Sequence, residues 1–243
     1  MAHRFYVPVD FHGKEVIVSG NETHHMIHVM RLGVGDSVCL FNGMGDECTG
    51  KITEIAHDKI RVEIESVKSI GREIPIDITV AFSVPKGKRS DFLVQKCTEL
   101  GVKRLIPLQS ERSVVKLYDK GEAKITKWRK VAIEASKQCG RKTITEITDV
   151  FTLDKLLETA SAYDLALVAC PSLDTPLLKE VLKKHSEVRD ILCLIGPEGG
   201  FSGGEIENAQ NAGCVPVGLG TQTLRVETAA IAISAMLMYE YAK

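Results

Sequence analysis

From Ile76 onward the sequence alternates between strand-like and helix-like hydrophobic patterns, and that alternation restricts most of the chain to one architecture. Ile76, Ile78, Val80, Phe82 and Val84 alternate with Asp77, Thr79, Ala81 and Ser83, the period-two signature of a strand. A loop at residues 85–88 leads to a helix predicted over 89–100 and stopped by Gly101. Further strands are expected at 104–107, 164–170, 191–195 and 215–219. Helices are expected between them at 122–139, 175–185 and 203–212, with a last, buried one over 227–241. Such alternation demands a parallel sheet covered by helices on both faces, an α/β domain. One helix start is explicit: Ser202 and Glu205 have capping-box spacing, and Gly213 supplies the left-handed stop.

The first 70 or so residues read differently. Short β-branched and aromatic runs at 4–9, 15–18, Ser37–Phe41 and 59–64 are punctuated by Gly13, Gly20, Asn42-Gly43 and Gly45. One short helix is predicted at 22–30. Closely spaced strands with hairpin signals suggest a small β-barrel. The pattern switch near 71–74 divides the chain into domains 1–72 and 73–243.

Hydrophobic residues form 44% of the 243 and charged residues 26%, enough apolar surface to offset chain entropy, which excludes disorder as the dominant state. No apolar run reaches the roughly 18 residues a bilayer span needs. The start, Met1-Ala-His-Arg-Phe-Tyr-Val, carries no apolar signal core, so a cytoplasmic location is expected. Seven cysteines at wide spacings, without a Cys-x-x-Cys pair, exclude a disulfide scaffold and a zinc ribbon. His24, His25 and His28 lack the acidic partner of a His-Glu-x-x-His site and read as an ordinary helix, so no metal is expected. Trp128, Met236 and Met238 read as core. Net charge is −1, but residues 73–150 hold 16 Lys and Arg against 10 Asp and Glu. Between acidic flanks, this suggests one positive surface, as an anionic polymer partner requires, or equally a set of solvated helix faces.

In an open parallel sheet, ligands bind beyond the carboxyl ends of the strands. Three such ends carry unusual loops: Val168-Ala-Cys-Pro171, Leu194-Ile-Gly-Pro-Glu-Gly-Gly-Phe-Ser-Gly-Gly204, and Gly218-Leu-Gly-Thr-Gln-Thr-Leu-Arg-Val-Glu-Thr228. The second holds five glycines in eleven residues, so backbone groups can approach a ligand closely. A P-loop would need a Lys, and none stands in 194–204. A Rossmann fingerprint begins at Gly218-Leu-Gly220 but meets Thr223 where Gly is required. A ligand without a polyphosphate, held through backbone groups, suits these loops better.

These same residues carry a resemblance. Leu194-Ile-Gly-Pro-Glu-Gly-Gly-Phe-Ser, followed by Leu219-Gly and Leu224-Arg-Val-Glu-Thr-Ala229, resembles the knotted SPOUT methyltransferases, and within them the RsmE family, which methylates N3 of a uridine in 16S ribosomal RNA. The likeness runs along nearly the whole chain. Lys96-Cys-Thr-Glu-Leu-Gly101, Pro107-Leu with Glu111-Arg-Ser113, Glu134-Ala-Ser and Gly140-Arg141 are similar to that family. His25-x-x-His-Val-Met-Arg31 and Gly35-Asp36 are similar to its PUA-like barrel.

The resemblance implies a C-terminal trefoil knot whose loops hold S-adenosylmethionine (SAM), a homodimer, no metal, and 16S rRNA or the 30S subunit as partner. The cofactor positions it implies are Val168, Cys170, Leu194, Ile195, Gly196, Glu198, Gly199, Gly200, Leu219, Gly220, Leu224 and Thr228. Methyl transfer draws most of its rate from positioning. Uridine N3 is a poor nucleophile until it loses its proton, so a carboxylate could take that proton or a guanidinium could stabilise charge on the uracil oxygens. Arg225 and Glu227 are the candidate pair, although Arg225 could equally form a salt bridge with Glu227 or Glu198, and Glu227 could simply favour a helix dipole. Lys86, Lys88, Arg89, Arg112 and Arg141 are the candidate RNA contacts. Two other readings stay open: a ribose 2′-O-methyltransferase on the same scaffold, and a non-catalytic ribosome-assembly factor.

Overall fold

The computed structural model describes residues 3–69, 75–116, 121–170 and 174–241. The expected domain boundary at 71–74 and Pro171 lie outside the described residues. The chain forms two compact units, Met1–Glu73 with Ser136–Ile144, and Ile74–Ala135 with Thr145–Lys243.

The first unit is a five-stranded sheet of β1 (His3–Tyr6), β2 (Glu15–Ser19), β3 (Ser37–Phe41), β4 (Asp46–Ala56) and β5 (Lys59–Ser69), ordered β1-β3-β4-β5-β2. β1 and β3 run parallel and every other pair is antiparallel. Phe5, Val16, Val18, Val38, Leu40, Ile52 and Ile60 build its core around Met26. The predicted helix is present as α1 (Asn21–His24), continued by a π-helical turn at His25–Val29. Residues 136–144 join this unit through Arg4, which pairs with Glu47 at 3.0 Å and donates to the carbonyls of Ser136 (2.8 Å) and Arg141.

In the second unit β6 (Asp77–Ser83), β7 (Arg104–Gln109), β8 (Glu146–Ile147), β9 (Phe151–Thr152), β10 (Leu165–Ala169), β11 (Asp190–Ile195) and β12 (Val215–Val217) form one parallel sheet. Its order is β12-β10-β11-β6-β7-β8, with β9 also on β7. Helices α2 (Arg89–Glu99), α3 (Gly121–Cys139), α4 (Leu153–Leu157), α5 (Leu178–Leu182), α6 (Gly203–Asn211) and α7 (Val226–Tyr241) connect and cover the strands. Both faces are buried. Ala81, Val168, Leu192 and Leu194 pack with Leu156 of α4 and Ala209 of α6. On β6, Phe82 points the other way, meeting Trp128 of α3 edge-on at 6.0 Å, and α7 packs on α2, β6 and β11.

Three expectations shift. The helix expected at 175–185 is only α5, because the chain around Pro176 and Leu177 bridges to Gly218 instead: Gly218 N donates to Pro176 O at 2.9 Å and Leu178 N to Gly218 O at 3.0 Å. That bridge also ends β12 at Val217. Met236, expected in the core, is 41% exposed, and Tyr239 on the same helix is 85% exposed. The capping box at Ser202 is present, with Ser202 Oγ accepting from Glu205 N and Ser202 N donating to Glu205 Oε2.

Candidate active site

Because the strands are parallel, the ends of β10, β11 and β12 open on one edge of the sheet, and residues at and after those ends line a cleft. Its apolar wall comes from Ile195, Val217, Leu219 and Leu224, and Gly196, Gly200 and Gly220 contribute backbone. Gly200, with φ 66°, has backbone that L side chains rarely adopt. A Cβ on Gly196 would stand 3.0 Å from the Phe201 ring, and Gly220 has φ 147°, which L side chains rarely adopt. Glu198 is the one acidic side chain in the lining.

Cys170 also lines the cleft, and burial pushes its thiol up from the usual value, so it acts as an apolar wall rather than a nucleophile. Of the other expected cofactor positions, Val168 and Leu194 lie within the strands beneath the cleft, each almost wholly buried. Gly199 faces away to accept from Arg112, and Thr228 lines a neighbouring cleft. The lining also includes residues the sequence reading passed over: Ala169, Pro197, Gln222, Thr223, and Val226 with Ala229 on α7. Gln222 and Thr223 were legible as the polar middle of the third loop. Val226 and Ala229 stand three apart on one helix face, within the Leu224–Ala229 segment.

The neighbouring, open cleft is lined by Lys86, Gly87, Lys88, Arg89, Phe92, Glu227 and Thr228. Pro85 and Ser90 anchor its basic loop, Ser90 Oγ donating to Pro85 O at 3.3 Å, while Lys86 and Lys88 remain exposed. Arg89 joins the two clefts: its guanidinium lies 3.8 Å from Glu198 and 4.0 Å from Glu227. The salt bridges considered for Arg225 are thus made by Arg89. Arg225 is exposed and lines neither cleft, and its carbonyl caps α7 by accepting from Ala229 N at 2.8 Å. Glu227 is largely buried, and its Oε2 has no hydrogen-bond partner.

The remaining basic candidates are engaged with protein. Arg112 donates to the Gly199 carbonyl at 3.1 Å, and Arg141, in the first unit, donates to Thr143 Oγ1 at 2.9 Å. Among the described residues no group of three metal-ligating side chains occurs, and no helix is long and apolar enough to cross a membrane.

A sheet-edge cleft with backbone-rich loops, beside a basic cleft holding a carboxylate, matches a known class. A family model described as an RNA methyltransferase domain matches residues 72–238, and one described as an RNA methyltransferase PUA domain matches 18–65. The chain is an RNA methyltransferase by both of its domains. The ribosomal RNA small subunit methyltransferase E of Bacillus subtilis (strain 168) is 31% identical over 228 residues, 92% of this chain and 89% of that protein. That of Buchnera aphidicola subsp. Schizaphis graminum is 31% identical over 98% of this chain and 96% of its own length. A crystal structure of the Neisseria gonorrhoeae enzyme of that name, bound to S-adenosyl methionine, superposes with a TM-score of 0.89 at 28% identity, covering 99% of this chain and 98% of that one. A Legionella pneumophila protein described as a methyltransferase, with bound SAM, gives 0.88 at 33% identity and covers 98% of both chains. The chain belongs to the ribosomal RNA small subunit methyltransferase E family.

Proposed function

We propose that this protein transfers the methyl group of SAM to N3 of a uridine in 16S rRNA of the small ribosomal subunit. The observation that carries this reading is the junction at Arg89, where the glycine-lined cleft at the strand ends adjoins a cationic cleft holding a largely buried carboxylate.

The residues present fit SAM. Ile195, Leu219 and Leu224 offer an apolar slot for adenine, the glycine backbone offers donors and acceptors for its edge, and Glu198 offers a negative charge toward a sulfonium. When bound, SAM supplies an electrophilic methyl, the C–S electron pair returning to sulfur as the N–C bond forms and N3 gives up its proton. The chain's own part is to hold and orient. Arg112 fastens the second loop through Gly199, and Glu205 fastens the neighbouring loop by accepting from Glu111 N at 2.8 Å. Glu227 is the proposed acceptor of the N3 proton, and Arg225, exposed at the start of α7, is the proposed cation toward the uracil oxygens. Lys86, Lys88 and Arg89 are the proposed phosphate contacts.

The same reading includes a trefoil knot, a homodimer, a PUA-like barrel that grips or orients RNA, and a cytoplasmic location. β12 lies beyond β10, yet α7 packs on α2, β6 and β11, so the third loop has to cross back over the sheet edge, as a knotted path requires. The exposed Met236 and Tyr239 on α7 suit burial against a second copy. A calorimetric titration with SAM, followed by transfer of its labelled methyl to 30S subunits lacking the modification, tests the proposal. Micromolar binding and label on 16S rRNA are expected. Absence of both would point to a non-catalytic RNA-binding factor.

A further inference from the structure

The second cleft contains an aromatic ring that neither the fold nor the cofactor site requires. Phe92 is 50% exposed, although it lies on α2 among buried neighbours such as Leu93 and Val94. Its position on the helix is firmly held, because Asp91 beside it accepts from Trp128 Nε1 at 3.1 Å and pairs with Lys127. Phe92 stands three residues after Arg89, so the two share a helix face and both line the cleft. Lys96 Nζ, itself 2.8 Å from Glu99, approaches the Phe92 ring at 5.9 Å from its centroid. The same cleft contains Glu227, whose Oε2 is shielded from solvent and unpaired.

Resting on the function proposed above, we infer that this cleft receives the target uracil turned out of its RNA, with Phe92 as the stacking platform and the Glu227 carboxylate that lines it as the acceptor of the N3–H. The chemistry of the base fits both groups. Every base presents a π face that an aromatic side chain can cover, and a flipped base must replace the stacking it leaves. Uracil carries an N–H at N3, where cytosine carries a bare acceptor that a carboxylate would repel. Phe92 therefore holds the ring and Glu227 selects and deprotonates it, the proton passing from N3 to the carboxylate. Lys86 and Lys88 at the mouth are placed for the flanking phosphates.

The test compares wild type with Phe92→Ala, Phe92→Trp and Glu227→Gln on unmodified 30S subunits, with SAM affinity and solution mass measured for each. Phe92→Ala is expected to lower kcat/KM for the RNA about tenfold or more, the size of a lost base–aromatic stack. SAM affinity and mass should be unchanged, and Phe92→Trp should restore the rate. Glu227→Gln should lower kcat more than it raises KM for the RNA. Wild-type turnover with Phe92→Ala equally active would overturn the inference alone. A Phe92→Ala protein of altered mass or SAM affinity would also overturn it, since the ring would then serve packing. A wild type that transfers no methyl would overturn the proposed function, and this inference with it.

Discussion

Arg112 Nη1 donates to the Gly199 carbonyl at 3.1 Å, tying the loop after β7 to the loop that lines the first cleft. The sequence placed Arg112 among RNA contacts because it is basic and follows a strand. Its geometry instead suits a brace for the cofactor loop. Arg112→Ala is expected to weaken SAM binding about three- to fivefold, the worth of one charged hydrogen bond in an exposed setting. The salt dependence of RNA binding should stay unchanged. A shallower salt slope with normal SAM affinity would return Arg112 to the RNA.

Gly196→Ala probes the closest approach in the site. The new Cβ would lie 3.0 Å from the Phe201 ring and 3.2 Å from its backbone N, and Phe201 is buried. Overpacking of this kind costs about 1–3 kcal/mol, and the loop must move to relieve it. SAM affinity should fall at least tenfold while far-UV circular dichroism remains native. Unchanged affinity by calorimetry would show that this turn does not shape the cofactor cleft.

Lys86 and Lys88 are exposed on a loop at the mouth of the second cleft. Replacing each with Ala should weaken RNA binding alike across sequences and lower the slope of log K against log salt by roughly 1 per lysine. SAM affinity should not change. Slopes identical to wild type would remove this loop from the RNA surface.

Much of this was legible in the sequence. The alternation from Ile76 predicted the parallel sheet because its longer strands are short apolar runs separated by helical patterns, whereas β8, β9 and α4 are too short to show one. The glycine loops marked the first cleft because their positions at strand ends have few other uses. β4 was not singled out, since a Cys, a Gly and an Ile (Cys48, Gly50, Ile52) carry its buried face while charged residues crowd the other. Arg89 was read only as a phosphate contact. Its two carboxylate partners lie 109 and 138 residues away in the chain, and no local pattern brings them together. Met236 and Tyr239 show the limit of composition, because an all-round apolar helix does not reveal which side a single copy leaves exposed.

Acid should loosen the first unit. Burial pushes the Glu47 carboxyl up, but Arg4 and Lys142 outweigh it and hold it below its ordinary value of 4.5. A depressed carboxyl stabilises the fold above that value, and the contribution disappears as pH falls through the lower folded value. The stability gap between wild type and Glu47→Gln, read from urea midpoints, should be constant from pH 7 to about 5 and close toward pH 3. A gap that persists at pH 3 would contradict the ion-pair account.

Thiol chemistry offers a further check on the fold. Burial pushes Cys97 up to about 12, and burial is also the main cause that takes Cys39, Cys48 and Cys214 up to about 11. Cys139 alone is exposed among the seven. Iodoacetamide at pH 8 should therefore alkylate Cys139 rapidly and the others only on unfolding, as read by peptide mass spectrometry. Rapid labelling of Cys170 would mean that the cofactor cleft is more open, and its thiol more acidic, than the structure shows.

The central claim, a methyl placed on uracil N3, is tested most directly by nucleoside mass spectrometry of 16S rRNA from unmodified 30S subunits incubated with the protein and labelled SAM. The account predicts label in N3-methyluridine, and its loss in the Glu227→Gln protein. Label on a ribose 2′-oxygen, or on any base other than uracil, would contradict it.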